Sequence, residues 1–417
     1  MKQKSVQGAR IDEKGRVILP EEIARRHGLK PGAQLPVIEN EHSVLLRRPV
    51  SHLAKVYIEP TSHCNLTCRT CIRNTWDEPM GNMDSATFQR VIDGLRAFQT
   101  PLTIVFGGFG EPLCHPAIAT MVAAAKGIGA QVELISNGTL LTNDLSLQLA
   151  EAGLDVLWVS LDGSTVEGYG GVRPGAELEH VISNVTNFRM VSWNRNQRLP
   201  HIGIVFVAMK RNIAELPEVV RLGRKVLADR FLITNVLPYT EELCEELLYN
   251  SVLINVPKQP SPFLPQLTLS RIDSTEITRE PLYRIFREWQ GVQGNPLVAG
   301  NAGNCCPFIE KGSTSVCWDG SVSPCLALLH SHTSYLNERK RRSKRYVVGN
   351  VNEHTMNELW SSPEYVAMRE RVQSFQFSPC AFCGGCDFSE ANEEDCFGNT
   401  FPTCGGCLWA QGIIQCP

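Results

Sequence analysis

Three cysteines fall within one short loop, Cys64-Asn-Leu-Thr-Cys68-Arg-Thr-Cys71. Three thiolates are one fewer than the irons of a cubane iron–sulfur cluster. Such a loop leaves one iron open to a substrate or cofactor, and an open coordination site points to chemistry rather than scaffolding. The alternative is structural zinc, which wants four ligands and a closed shell. His63, beside Cys64, could supply the fourth. A second concentration lies late in the chain, where 11 of the 16 cysteines follow residue 300.

The elements that must position the first cluster are legible as alternating strands and helices over residues 54–240. Apolar strands are expected at Lys55–Ile58, Leu102–Phe106, Gln131–Ile135, Val156–Leu161, Ile202–Val207 and Phe231–Val236. Helical stretches lie between them at Ser85–Phe98, Ala117–Lys126, Asp144–Ala152, Leu178–Met190 and Ala214–Ala228. Continuous apolar strands alternating with amphipathic helices predict a parallel sheet covered on its faces. Six such units fit a partial barrel better than a complete eightfold one. Ligands in these folds sit at the carboxyl ends of the strands. The first strand is followed by the three cysteines and the second by Gly107-Gly108-Phe109-Gly110-Glu111-Pro112. The third ends in Ser136-Asn137-Gly138 and the fourth in Ser160-Leu161-Asp162-Gly163. A glycine-rich turn lets backbone approach a ligand closely. One such turn is weak evidence, but small or polar residues at four successive strand ends mark a site.

In that order and strand context these motifs resemble the radical S-adenosylmethionine (SAM) superfamily. The resemblance implies that Cys64, Cys68 and Cys71 hold a 4Fe–4S cluster whose open iron chelates the methionine part of SAM. One electron then cleaves the sulfonium to a 5′-deoxyadenosyl radical that abstracts a substrate hydrogen. It places Gly108, Gly110 and Glu111 at the methionine end, and Asn137, Ser160 and Asp162 near the ribose and reaction cavity. Arg173 is a candidate for the methionine carboxylate, where a guanidinium fork fits; a plain surface arginine is the alternative. The residue before the third cysteine, usually aromatic in the superfamily, is Thr70 here, so the adenine contact falls to Ile72 or elsewhere.

The late cysteines are Cys305, Cys306 and Cys317, then Cys325 at the end of Gly320-x4-Cys, Cys380-x2-Cys383-x2-Cys386, Cys396, Cys404-x2-Cys407 and Cys416. They resemble the SPASM extension of radical SAM enzymes, which carries one or two auxiliary 4Fe–4S clusters. The resemblance assigns Cys306 and Cys325 to one cluster. For the other it favours Cys380 and Cys383 with a cysteine near the end; Cys386, Cys396, Cys404, Cys407 and Cys416 are further metal-ligand candidates. Structural zinc is the alternative for Cys404 and Cys407. Such clusters can pass electrons from a ferredoxin-like donor or bind substrate. The tail from Asp395 to Pro417 is similar to SPASM proteins associated with tungsten-dependent aldehyde ferredoxin oxidoreductases and described as cofactor-modifying proteins. That implies the oxidoreductase, or its tungstopterin, as target.

Residues 1–50 form a separate unit. Strands Val6–Ile11 and Arg16–Leu19 flank Asp12-Glu13-Lys14-Gly15. Pro20 opens a helix through His27, and Lys30-Pro31-Gly32 turns into a hairpin of Gln34–Ile38 and Ser43–Arg47 around Glu39-Asn40-Glu41-His42. The pattern resembles the AbrB/MazE/SpoVT swapped-hairpin domain, which dimerises by interleaving hairpins and often binds DNA. The basic residues Lys4, Arg10, Lys14, Arg16, Arg25 and Arg26 could meet phosphates. Asp12, Glu13, Glu21 and Glu22 dilute them, and on an enzyme dimerisation or docking is preferred to DNA contact.

The expected organisation is α/β. A swapped-hairpin β domain (1–50) precedes a partial (β/α)6 radical-SAM barrel (51–240). A bridging region (241–300) with a helix at Pro281–Trp289 leads to a cysteine-rich iron–sulfur SPASM domain (301–417). This last segment reads as metal-organised, with little regular structure of its own. Its basic run, Arg339–Arg345, reads as a solvated loop, with contact to an anionic partner or cofactor as the minority view. A net charge of −3 argues against nucleic-acid binding by the chain as a whole. Neither a signal peptide nor a membrane-length apolar run is visible, so a cytoplasmic, metal-binding and disulfide-free protein is expected. Two other functions stay open: radical SAM modification of a ribosomal peptide, and a redox-sensing DNA-binding regulator. Cys114, Cys244 and His115 are left as structural residues.

Overall fold

The computed structural model describes residues 9–29, 35, 37–40, 43–98, 100–195, 199–250, 267–289, 298–299, 304–383 and 386–417. The Lys30-Pro31-Gly32 turn, residues 6–8 of the first expected strand, Gln34, Glu41-His42 and the bridge over 251–266 and 290–297 lie outside them.

Six parallel strands follow one another in chain order: β1 (Lys55–Ile58), β2 (Thr103–Phe106), β3 (Gln131–Ser136), β4 (Val156–Ser160), β5 (His201–Ala208) and β6 (Arg230–Asn235). Each pairs in parallel with the next, from Ile58 opposite Phe106 to Ile233 opposite Phe206. Val56, Ile58, Ile104 and Phe106 on one face and Tyr57 and Val105 on the other are all buried, so both faces of the sheet need covers. The helices supply them. Ser85–Leu95, for example, starts where the Asp84 carboxylate accepts from Thr87 N–H at 2.7 Å. It turns Phe88, Val91, Ile92 and Leu95 inward at helical spacing. The result is a mixed α/β partial barrel.

The sheet does not stop at six strands. Leu267–Leu269 and Val298–Ala299 extend it beyond β6. On the other edge β1 pairs in parallel with Ser313–Val316, which continues through Ser321–Ser323 to Gly349–Asn350. The cysteine-rich region is thus built onto the barrel's own sheet, with 11 strands among the described residues.

Three expectations change. Residues 301–417 hold more regular structure than expected: a hairpin of His332–Leu336 and Arg339–Ser343, and helices Met356–Ser361 and Pro363–Ser374. The signals were local caps. Thr355 and Glu358 form a reciprocal capping box, and Ser362 precedes Pro363 at a first helical position. The basic run is not a solvated loop, because most of it is the second hairpin strand and Arg341 is buried at 6% exposure. The bridging helix starts at Glu276, not at Pro281, which lies inside it. Thr278 Oγ1 ties the start by accepting from Thr275 N–H at 2.9 Å and donating to Asp273 O at 2.6 Å.

At the N-terminus two antiparallel hairpins, Arg10–Ile11 with Val17–Ile18 and Val37–Asn40 with Ser43–Leu46, flank helix Glu21–Arg26. Five of their apolar residues face outward: Ile11, Val17, Ile18, Val37 and Val44 are each more than half exposed.

Candidate functional site

The cysteine loop leaves the end of β1 and is pinned at its start. Ser62 N–H and Thr61 Oγ1 both donate to Gly81 O, at 3.0 and 3.1 Å. The glycine-rich turn after β2 docks on this loop, where Glu111 N–H donates to His63 O at 2.8 Å. Only glycine fits at 110, since a Cβ there would stand 2.0 Å from Thr61 O. A Cβ on Gly108 would likewise fall 2.6 Å from Glu59 Oε1, which accepts from Phe109 N–H at 2.9 Å.

Cys64, Cys68 and Cys71 are half-buried on this loop, each close enough to alter the ionisation of another. Their sulfurs face N–H groups. Leu66 N–H and Asn137 Nδ2 lie 3.4 and 3.9 Å from Cys64 Sγ, and Arg173 Nη1 lies 3.7 Å from Cys68 Sγ. Burial raises the Cys68 thiol and pushes Cys71 up to about 11. Without an ion these groups stay thiols, so the donor set suits a metal that replaces their protons. His63 is exposed.

The other strand-end residues pack around the same loop. Glu111 is buried, and its oxygens accept from Ser136 Oγ (2.8 Å), Asn137 N–H (2.7 Å) and Leu113 N–H (3.1 Å). Burial raises its pKa. Both oxygens are committed to the ends of β2 and β3, which makes Glu111 a brace between these turns. Asn137 Nδ2 donates to Asn65 Oδ1 at 3.0 Å, tying β3 to the cysteine loop. Ser160 closes β4, half-buried. Asp162 is fully buried and accepts from Arg173 Nε and from Val207 N–H, both at 2.7 Å, with Arg173 Nη2 also at 2.7 Å. Arg173 is buried, not a surface residue. Its carboxylate-binding edge is closed on Asp162, which leaves Nη1 directed at Cys68. Burial opposes its charge, but Asp162 and Cys68 outweigh that and hold it protonated. Thr70 is half-buried and Ile72 fully buried.

In the C-terminal region Cys306, Cys325, Cys404 and Cys407 line one cavity, with His332 and Arg341. Burial pushes Cys306 up to about 12 and lifts Cys325, Cys404 and Cys407, each reinforced or offset by charged neighbours. The expected Cys306–Cys325 pair is therefore gathered with Cys404 and Cys407, the two residues for which zinc was the alternative. Cys380 is buried, with Ser378 Oγ 2.9 Å from its sulfur, whereas Cys383, Cys386 and Cys396 are exposed. Arg341 feels Cys380, Cys404 and Cys407 together. Cys416 receives Trp409 Nε1–H at 3.3 Å. Tyr239 lies within electrostatic reach of both Cys71 and Cys416, and its ring meets His332 edge-on at 5.7 Å.

The sequence reading missed a buried polar group at the end of β1. Glu59 Oε2 and Glu78 Oε2 each lie 2.7 Å from one ring nitrogen of His330. Burial works against charge on this imidazole, but the two carboxylates prevail and lift it to about 9. The available signal was position: Glu59 follows an apolar strand directly, where ligands gather.

A parallel partial barrel with a three-cysteine loop at its first strand end, extended by a C-terminal region with a cysteine-lined cavity, defines a radical SAM enzyme with a SPASM-type region. The family model for the radical SAM superfamily matches residues 58–223, and that for the SPASM iron-sulfur cluster-binding domain matches 305–387. The chain belongs to this superfamily, whose enzymes use 4Fe–4S clusters and SAM. It is 31% identical over 369 residues to a tungsten-containing aldehyde ferredoxin oxidoreductase cofactor-modifying protein of Pyrococcus furiosus, spanning 87% of this chain and 96% of that one. Among solved structures it resembles anSMEcpe with bound AdoMet (TM-score 0.55, 16% identity, 81% of this chain and 84% of that one). It also resembles Streptococcus suis SuiB bound to precursor peptide SuiA (TM-score 0.52, 16% identity, 80% and 70%). No helix among the described residues is long and apolar enough to cross a membrane.

Proposed function

We propose that this enzyme matures a tungsten-containing aldehyde oxidoreductase, acting on that polypeptide or on its tungstopterin. The observation that carries the reading is similarity to the Pyrococcus cofactor-modifying protein across 96% of that protein's length. Cys64, Cys68 and Cys71 hold the SAM-binding cluster. Arg173 and Asn137 face its sulfurs, and Gly108 and Gly110 let the turn after β2 close on it. Cys306, Cys325, Cys404 and Cys407 hold an auxiliary cluster; Cys380, Cys383, Cys386 and Cys396 supply a second. When bound, the first cluster and SAM supply hydrogen-atom abstraction. The chain's own part is to bury the reacting region, hold the thiolates and keep a cation beside Cys68.

A ferredoxin-like donor supplies electrons, and the outward apolar residues of the N-terminal hairpins support dimerisation through a second copy. We place the enzyme in a reducing cytoplasm, which keeps cysteine thiols available for metal.

The test is tungsten-dependent aldehyde oxidation in a host lacking only this gene, with the pterin content of the purified oxidoreductase. Inactive oxidoreductase, restored by the wild-type gene but not by Cys64→Ala, is the expected result. Fully active oxidoreductase without this protein overturns the proposal and turns attention to a peptide substrate.

A further inference from the structure

Glu59, Cys317 and His330 come from three separate segments: the end of β1, the residue after strand Ser313–Val316, and the turn before strand His332–Leu336. All three are buried at 1% exposure or less. One donor atom from each lies within 4.8 Å of the others, the one such trio among the described residues. The separations are 2.7 Å (Glu59 Oε2 to His330 Nε2), 3.5 Å (Cys317 Sγ to Glu59 Oε2) and 3.9 Å (Cys317 Sγ to His330 Nε2). From usual zinc bond lengths, a tetrahedral ion separates such donors by roughly 3.4–3.6 Å. The two edges to sulfur are already near that spacing, and the carboxylate–imidazole edge opens by about 0.7 Å on binding.

The surroundings are those of a ligated imidazole. His330 Nδ1 faces Glu78 Oε2 at 2.7 Å, the carboxylate–histidine arrangement that fixes a ring so that Nε2 points at a metal. Glu78 is itself held, its other oxygen accepting from Ser331 N–H at 2.7 Å. The Trp76 and Phe109 rings wall the imidazole at 4.2 and 6.0 Å between centroids. We propose that Glu59, Cys317 and His330 form a binding site for one divalent ion of the zinc class, separate from the iron–sulfur sites. One thiolate, one imidazole and one carboxylate suit zinc, whereas magnesium and calcium take oxygen donors.

Charge balances across the exchange. With no ion, two carboxylates and a doubly bonded imidazolium leave one negative charge, and the thiol is neutral. Binding displaces one proton from Cys317 and one from His330 Nε2, so a dication replaces two protons and the buried net charge is unchanged. The ion joins the first barrel strand to the cysteine-rich region beside the Phe109 turn.

The test is the full chain, iron–sulfur-reconstituted without air, passed over a chelating resin and analysed for every transition metal and by zinc K-edge X-ray absorption. The expected result is about one zinc per chain with a single sulfur neighbour near 2.3 Å. Cys317→Ala and His330→Ala should each drop zinc more than tenfold while the iron count stays. Absence of a non-iron ion, a four-sulfur shell, or zinc retained by both variants overturns the proposal. If either variant fails to fold, Glu78→Gln decides: its zinc affinity, by competition with a chromophoric chelator, should fall ~10-fold or more, and an unchanged affinity overturns the site.

Discussion

Replacing Asp162 by Asn tests whether the buried Asp162–Arg173 pair serves the cluster or only the fold. The substitution keeps size and an acceptor for Val207 N–H but removes the charge. It also turns an amide donor toward the guanidinium. The charged atoms are 2.7 Å apart, so at an effective dielectric of ~20 their attraction is roughly 6 kcal/mol before desolvation. Breaking such a pair one-sidedly costs about 3–5 kcal/mol, because a buried cation is left unpaired. In metal-free protein the midpoint of thermal unfolding should fall by roughly 6–12 °C for a domain of ~200 residues. In cluster-loaded protein the loss should be smaller by ~1 kcal/mol or more, because Arg173 Nη1, 3.7 Å from Cys68 Sγ, then faces an anionic cluster that takes over part of the lost carboxylate's role. Anaerobic thermal scans of both forms, with iron analysis, give the comparison. The double variant Asp162→Asn, Arg173→Gln should recover ~1–2 kcal/mol in the metal-free state. Equal losses in loaded and unloaded protein would refute the claim that Arg173 stands between Asp162 and the cluster. A loss under ~1 kcal/mol in both would refute the buried pair itself.

Gly110→Ala would push a methyl to 2.0 Å from Thr61 O, costing about 3 kcal/mol. The SAM-dependent change in the cluster EPR spectrum should vanish while iron bound by the C-terminal cysteines stays. Arg341→Gln should lower the midpoint potential of an auxiliary cluster in an EPR-monitored redox titration, because a buried cation stabilises the more negative reduced state; Arg341→Lys should retain most of the wild-type value. Cys404→Ala should lose roughly four irons per chain, and an unchanged iron count would remove it from the cluster set. Val17 and Val44 are 55% and 65% exposed, so changing both to Glu should weaken self-association at least ~100-fold if each buries ~1.5 kcal/mol in a dimer. Sedimentation velocity across a concentration series reads this, and a wild-type chain that is monomeric throughout refutes it.

The barrel was legible because its strands are continuous apolar runs with polar ends, a pattern set by burial on both faces. All six expected strands are present to within two residues at either end. The three-cysteine loop and the turn after β2 were legible because their residue types have few other uses. What stayed hidden depends on distant segments meeting. Arg341 looked solvated because six of the seven residues in its run are basic, yet strand alternation turns it inward toward Cys404 and Cys407. Arg173 suggested a ligand-binding fork, and only the fold shows that Asp162 already occupies it. Glu59 and His330 lie 271 positions apart, with no local pattern to join them.

That last separation bears on how the two iron–sulfur regions communicate. Strand Ser313–Val316 pairs with β1 through four registered positions, Lys55 to Ile58. A β ladder resists sliding, because a one-residue slip would turn every side chain to the opposite face. The cysteine loop leaves one end of this ladder at Glu59, and Cys317 follows from the neighbouring strand. Cys325 lies one hairpin further on. The loop of Cys64, Cys68 and Cys71 and the hairpin that ends at Cys325 are thus attached to one sheet. A change in the spacing of these two attachment points would have to break the strand pairing between them, so the ladder holds the two ends at one spacing.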